Sequence, residues 1–274
     1  MQTHAASTRP VPRLTAARDD LFLLSDRVLF VGALGDTWPH AVHAVKILVA
    51  YEGQFQIRFG NGPWQQARSA IVAPDEVHAV RGSRVFGHLA FILPERDGER
   101  YAIARSQISV PGLERLPHDL SLKVDESRVT DWLDAFFARA AECTARKPLD
   151  LRIARALEYL RFANAITTRL DPLSRSSALS PSRFSHLFRE ETAIPFRTYA
   201  QLMRIRAAVA YLGEGLGLSE AALASGFADH SHFGRSFRRM FGTKPGALVH
   251  GGRIHILGGG LSPLPEAPLI QPAT

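Results

Sequence analysis

Two stretches of this 274-residue chain place hydroxyls, imidazoles and guanidinium groups at matching spacing, forty-nine residues apart. They are Ser182-Arg183-Phe184-Ser185-His186-Leu187-Phe188-Arg189 and Ser231-His232-Phe233-Gly234-Arg235-Ser236-Phe237-Arg238, identical at four of eight positions. At 100° per residue, Phe184, Leu187 and Phe188 share one helical face and leave Ser182, His186 and Arg189 on the other. Phe233 and Phe237 divide the second copy in the same way from Ser231, Arg235 and Arg238. A helix braced by aromatics on one side and presenting short polar and cationic groups on the other suits the DNA major groove. Ser182, Arg183 and His186 are base-edge candidates in the first copy, and His230, Ser231, His232 and Arg235 in the second. Arg235 leads, because a two-pronged Arg–guanine contact is the commonest specific one. Arg189, Arg238 and Arg239 lie further along and suit phosphates, adding affinity rather than sequence choice. For Arg189, beside Glu190 and Glu191, a solvated face with local ion pairs is an equal reading.

Such helices need an element to present them. Before the second copy, Leu218 to Asp229 reads as a helix with Ser219 as N-cap, small residues for close packing, Gly226 as a left-handed stop and Asp229 to cap the next helix. Helix, glycine turn, second helix is the helix-turn-helix pattern. A shorter helix from Leu173 towards Ser180 precedes the first copy. The segment from Pro195 to Gly213 reads as a helix of roughly 27 Å at 1.5 Å per residue. That is near one DNA turn of roughly 34 Å, so one chain is expected to reach two successive major grooves.

These residues resemble the DNA-binding domain of AraC/XylS-type transcription regulators. The second half of that family's signature is matched by Ala222, Gly226, Phe227, Asp229, Ser231, Phe233, Arg235, Phe237, Arg238, Arg239, Phe241, Gly242 and Pro245. The joining helix matches through Tyr199, Arg204, Ile205, Ala208 and Leu212. The first half departs from the pattern: Ser174 replaces a usual Ala, Ala178 and Ala193 stand where Gly is usual, and His186 stands where Arg is frequent. An alanine forced left-handed costs on the order of 1 kcal/mol. The resemblance implies a small-molecule effector, contact with RNA polymerase and no enzymatic activity.

Charge agrees with this division. Residues 148–253 hold 15 Lys and Arg against 8 Asp and Glu, whereas residues 1–147 hold 18 against 17, so the net charge of +7 is concentrated in the C-terminal part. A polyanionic partner for that part follows, double-stranded DNA above all, although a basic surface kept for solubility gives the same arithmetic.

The first 120 residues have a different texture. Lys46 to Tyr51 is apolar and β-branched, Gln54 to Phe59 alternates, and Gly60-Asn61-Gly62-Pro63 turns. Further strands are expected at Trp64 to Arg68, Ala70 to Ala73 and Val85 to Leu93, which together read as a small barrel or sandwich. Pro74 to His78 is similar to the Pro-x-x-x-His turn of the cupin-like sensor domains of the same regulators. Trp38, His40, His43, Tyr51, Trp64, His78 and His88 are the ligand-pocket candidates. His40-x-x-His43 lacks the spacing and acidic partner of a cupin metal site, so neither metal nor other cofactor is expected.

Between the two parts, Asp125 to Arg146 reads as an amphipathic helix whose Trp132, Leu133, Phe136 and Phe137 form a dimer contact, or else a lid over the barrel. One cysteine, Cys143, excludes an internal disulfide and suits a reducing cytoplasm. No apolar run is long enough for a membrane span. The expected fold is α+β and multidomain, with a separate core in each of the two main domains: a flexible N-terminus (1–13), a cupin-like β-barrel sensor (14–120), a linker and dimerisation helix (121–147), an all-α domain with two helix-turn-helix motifs (148–250) and a disordered tail (251–274). The reading is a cytoplasmic, homodimeric, effector-controlled transcription regulator. The alternatives are a cupin-type metalloenzyme with a vestigial DNA-binding domain and a ligand-independent DNA-binding protein.

Overall fold

A computed structural model describes residues 19–24, 27–50, 53–82, 85–93, 95–96, 99–100, 106–109, 131, 147–162, 170–246 and 253–257. Along the chain run β1 (Asp20–Leu23), β2 (Arg27–Leu34), β3 (Val45–Ala50), β4 (Phe55–Phe59), β5 (Gln65–Ala67), β6 (Ser69–Val72), β7 (His78–Arg81) and β8 (Val85–Ile92). Short strands β9 (Glu95–Arg96), β10 (Glu99–Arg100), β11 (Gln107–Ile108) and β12 (Lys147–Pro148) follow. Then come helices α1 (Leu151–Phe162), α2 (Leu170–Ser176), α3 (Pro181–Thr192), α4 (Phe196–Gly213), α5 (Leu218–Ala224) and α6 (His230–Phe241), and a last strand, β13 (Arg253–Ile256). The fold is α+β, with sheets first and helices after them.

The main sheet has the order β11-β6-β3-β8-β2-β1-β13, and β5-β4-β7 form a second. The β-branched run of β3 is buried along its whole length, as a strand must be when both sheet faces are covered. Leu34, Leu48, Ala50 and Val72 of the main sheet pack on Phe55, Ile57 and Val80 of the second. The arrangement is two facing sheets; among the described residues the strand pairing does not close into a barrel.

Two expectations change here. The segment after residue 251, expected to be disordered, contains β13, which pairs in parallel with β1 from Asp20↔Arg253 to Leu23↔Ile256. The cause is charge and packing. Asp20, 4 % exposed, accepts two hydrogen bonds from Arg253, at 2.9 and 3.1 Å, and one from His255 at 2.9 Å. Phe22 stacks on His255 at 4.6 Å. Further, sheet and helices are not separately cored: Leu21, Leu23, Phe30 and Leu93 join Leu202, Ile205 and Phe237 in one apolar cluster. Trp132, Leu133, Phe136 and Phe137 lie outside the described residues.

Candidate nucleic-acid interface

Each reading helix begins with a cap that its own sequence supplies. Ser180 accepts a hydrogen bond from the backbone N–H of Arg183, and Pro181 opens α3, where a missing donor costs nothing. Asp229 accepts from the N–H of His232 at 2.6 Å, which holds its carboxyl below the ordinary carboxylate range. Ser219 does not cap α5. Gly217 is its N-cap, and the Gly217 N–H donates to the Glu220 carboxylate, which reaches back from the first turn.

Both turns are left-handed where expected. Gly226 has φ 81°, and Ala178 and Ala193 adopt φ 53° and 63° where glycine is usual. Two alanines therefore carry the backbone penalty anticipated above.

Helix α4 sets both readers. Phe188 meets Phe196 and Tyr199 of α4 edge-on at 5.5 and 5.6 Å, and Phe184 meets Phe196 at 5.9 Å. On the other side, the Gln201 amide donates to buried Ser236 of α6 at 2.8 Å. Inside the second unit Phe227, Phe233, Phe237 and Phe241 form a ladder with ring separations from 4.7 to 5.8 Å. The 18 residues of α4 give it a length of about 27 Å.

With the phenylalanines buried, the polar groups are left outside. Ser182, Arg183, His186 and Arg189 are exposed on α3, and His230, Ser231, Arg235, Arg238 and Arg239 on α6. Two candidates are partly engaged. His186 Nδ1 lies 3.7 Å from Glu190 one turn on, and the His232 ring packs edge-on against Phe227 at 5.3 Å. Arg238 stands 4.7 Å over the ring of Trp38, on the loop after β2, so the N-terminal part holds the guanidinium assigned to phosphate.

That loop grips the end of α6. The Trp38 N–H donates to Gly242 O at 2.8 Å. Gly242 caps α6 with φ 68°, and a Cβ there would lie 2.3 Å from His40 Nδ1 and 2.6 Å from Trp38 O. Only glycine satisfies both the left-handed turn and this approach.

The ligand-pocket candidates do not assemble as one wall. Trp38 is 62 % exposed, and the ring of Trp64 is engaged by the guanidinium groups of Arg58 and Arg81 at 4.9 and 4.1 Å. His43 is buried and bonds Asp75 through Nδ1 at 2.7 Å. Tyr51 and the side chain of His88 lie outside the described residues. His40 and His78 do meet, with ring centroids 4.2 Å apart. Each donates from Nδ1 to a carbonyl, Trp38 O at 2.7 Å and Glu76 O at 2.8 Å, which leaves Nε2 bare on both. Both bare nitrogens face the ammonium of Lys46, at 3.3 and 3.0 Å, so the imidazoles serve a cation already present. Burial, then Lys46, pushes the His40 pKa down to about 3 and that of His78 to about 2; burial lowers Lys46 to about 7.

A cavity of about 160 Å³ lies beside this cluster, between the inner face of the main sheet and helices α4 and α6. Leu48, Leu89 and Phe91 bound it on the sheet side, and Met203, Val209 and Phe237 on the helix side. Lys46 also lines it. Sequence reasoning missed Lys46; the signal was a lone cation in β3, on the face shared by Leu48 and Ala50.

Residues 173–250 match the family model of a helix-turn-helix domain. The chain is similar to the HTH-type transcriptional regulator YijO of Escherichia coli K12, at 28% identity over 81% of this chain and 72% of that protein. It is similar to the arabinose operon regulatory protein of the same organism, at 26% identity over 68% of this chain and 56% of that one. With the HTH-type transcriptional regulator GlxA of Rhizobium meliloti it shares 33% identity over 32% of this chain and 28% of that protein. The chain thus spans between 28% and 72% of the length of these relatives. Unsaturated-fatty-acid-bound ToxT from Vibrio cholerae shares its fold, with a TM-score of 0.54 and 12% identity over 82% of this chain and 95% of that one.

Fold and paired readers define a protein of the double helix-turn-helix class. Its C-terminal part carries the helix-turn-helix domain of its relatives, which are transcription regulators of the AraC type.

Proposed function

We propose that this chain is a sequence-specific transcription regulator in which α3 and α6 enter successive major grooves of duplex DNA. The observation that carries the reading is α4: one 18-residue helix buries the aromatic faces of both readers and leaves their polar faces exposed. Ser182, Arg183, His186, His230, Ser231, His232 and Arg235 take base edges, and Arg189, Arg238 and Arg239 take phosphates. Residues 148–250 act as the DNA-binding domain, and residues 14–120 act as a cupin-like sensor built on the two facing sheets. A small molecule seated there changes how the readers are held, which requires different ligand affinity in the two arrangements. The bound fatty acid in ToxT supports effector control on this fold.

Residues 121–147 pair two chains through Trp132, Leu133, Phe136 and Phe137, and the bound dimer contacts RNA polymerase in the cytoplasm. No helix among the described residues is long and apolar enough to cross a membrane.

Capture of genomic fragments by the full-length chain, followed by footprinting, tests the reading. The expected footprint has two protected segments per chain, about 10 base pairs apart on one face of the duplex. Absence of any fragment enriched over random competitor at moderate salt would sink it.

A further inference from the structure

The second sheet has an outer face that the core does not use. Phe55 and Ile57 of β4 and Val80 of β7 pack inward on the main sheet, so alternation turns Gln56, Arg58, Ala79 and Arg81 outward. Strand pairing lines up Gln66, Gln56 and Arg81 in one row across the three strands. Trp64, one residue before β5, carries the guanidinium of Arg81 at 4.1 Å and that of Arg58 at 4.9 Å over its ring.

Two like charges gathered on one ring repel each other until an anion joins them. Strands β4, β5 and β7 contain no acid. Among the described residues no carboxylate pairs with Arg58 or Arg81, and Asp36, which meets the end of β7, accepts from the Gly82 N–H. Arg58 Nε is buried without a hydrogen-bond partner among these residues, so stacking on Trp64, not an acceptor, fixes this group. The face thus presents two oriented cations and a row of amides, and suits a polyanion.

This face looks the same way as the reading face of α6. The second sheet and α6 pack on one side of the main sheet: Leu48 joins the core under the second sheet and also bounds the cavity that Phe237 and Phe241 line. Phe237 is therefore directed at the main sheet. Arg235 and Arg239, two residues before and after it, stand about 160° around the helix from it and are exposed. They point away from the main sheet, as Arg58 and Arg81 do.

One extended segment joins the two surfaces. The Thr37 N–H donates to Val80 O of β7 at 2.9 Å, His40 bridges to His78, and the Trp38 N–H reaches Gly242 at the end of α6. There Arg238 stacks on Trp38, repeating the arginine–tryptophan pairing of the sheet. At about 4.8 Å per strand, Arg81 and Arg58 lie one and two strands beyond that segment.

Resting on the regulator reading above, we propose that the outer face of β4, β5 and β7 is a third DNA contact, in which Arg58 and Arg81, held on Trp64, take backbone phosphates of the duplex flanking the segment read by α6. Gln56 and Gln66 add amide donors to the same contact. The arginine fork matches phosphate oxygens, and contact with the backbone alone brings no base preference. The N-terminal part thereby adds affinity and lengthens the DNA covered, while α3 and α6 keep the choice of sequence. An acidic protein surface has the right sign of charge, but the direction shared with Arg235 and Arg239 favours the duplex that lies there.

The test compares the full-length native chain with Arg58→Gln/Arg81→Gln, which keeps Trp64 and the sheet core. Each is titrated with a duplex trimmed to the base pairs that show sequence preference, with that duplex lengthened by one helical turn at either end, and with random duplexes of both lengths, across a salt series. For the native chain, lengthening at one end is expected to raise affinity at least threefold. The double variant should lose that gain and show a salt slope shallower by about two phosphates on the long duplexes, with base preference unchanged. No gain from lengthening at either end in the native chain overturns the proposal. Equal affinity and slope of the two proteins on long duplexes also overturns it and leaves these cations to an acidic protein. A variant that melts lower and loses short and long duplexes alike would assign the two arginines to stability alone, again overturning it. The lengthening comparison needs no variant, so it decides even if the variant misfolds. If no fragment is enriched over random competitor, the regulator reading fails, while the random duplexes still show whether the sheet contact exists.

Discussion

Arg235 and Arg239 are both exposed on α6 but lie four residues apart along the helix whose first turns are proposed to enter DNA. Arg235→Ala is expected to remove preference at one or two base positions, about 1–3 kcal/mol of discrimination, with little change on random sequence. Arg239→Ala should weaken all sequences alike and make the dependence on salt shallower by about one phosphate. Filter binding on specific and scrambled duplexes across a salt series separates the two; equal losses on both duplexes for both variants would end this division of roles. The identities and spacing of these residues were legible in the chain because helical periodicity assigns faces without tertiary knowledge. That Arg238 rests on Trp38 was not legible, since the two are 200 positions apart.

Helix ends and turns show how far local rules carry at the next scale. Asp229 capping α6, Gly226 turning left-handed and the 18-residue α4 all follow from neighbours within a few residues. Ala178 and Ala193, also read from the chain, do adopt the conformation that glycine would take more cheaply. Ala178→Gly and Ala193→Gly should each stabilise the protein by about 0.5–1 kcal/mol, because relief of a left-handed penalty of about 1–2 kcal/mol outweighs the added freedom of the unfolded chain. Thermal denaturation measures this, and a lower melting temperature in both variants would show that the surroundings, not the backbone, decide these turns. One local reading failed, and for a local reason. Ser219 was the nearest hydroxyl to the start of α5, yet Glu220 closes that end from within the first turn.

For the molecule as a whole, the least legible element is β13, since glycines and prolines around it hide a four-residue strand. It completes the main sheet beside β1, and Ile254 packs so closely on α4 that a Cβ on Gly213 would lie 2.8 Å from it. Ending the chain at residue 252 should cost about 2–4 kcal/mol, from the lost burial of Ile254 and Ile256 and the stranded Asp20 carboxylate. Chemical denaturation of the shortened chain reads it directly; an unchanged midpoint would mean that β13 is an ornament on the sheet.

By itself the sequence determined the helix-turn-helix class, the apolar and polar faces of α3 and α6 and the length of α4 between them, because amphipathic period, caps and turn residues act over one or two helical turns. Tertiary structure alone decided that sheets and helices share a core, that a cavity lies between them, and that Lys46 meets His40 and His78 there. Those contacts join positions brought together only when distant apolar faces leave water, and no local pattern records which faces will meet.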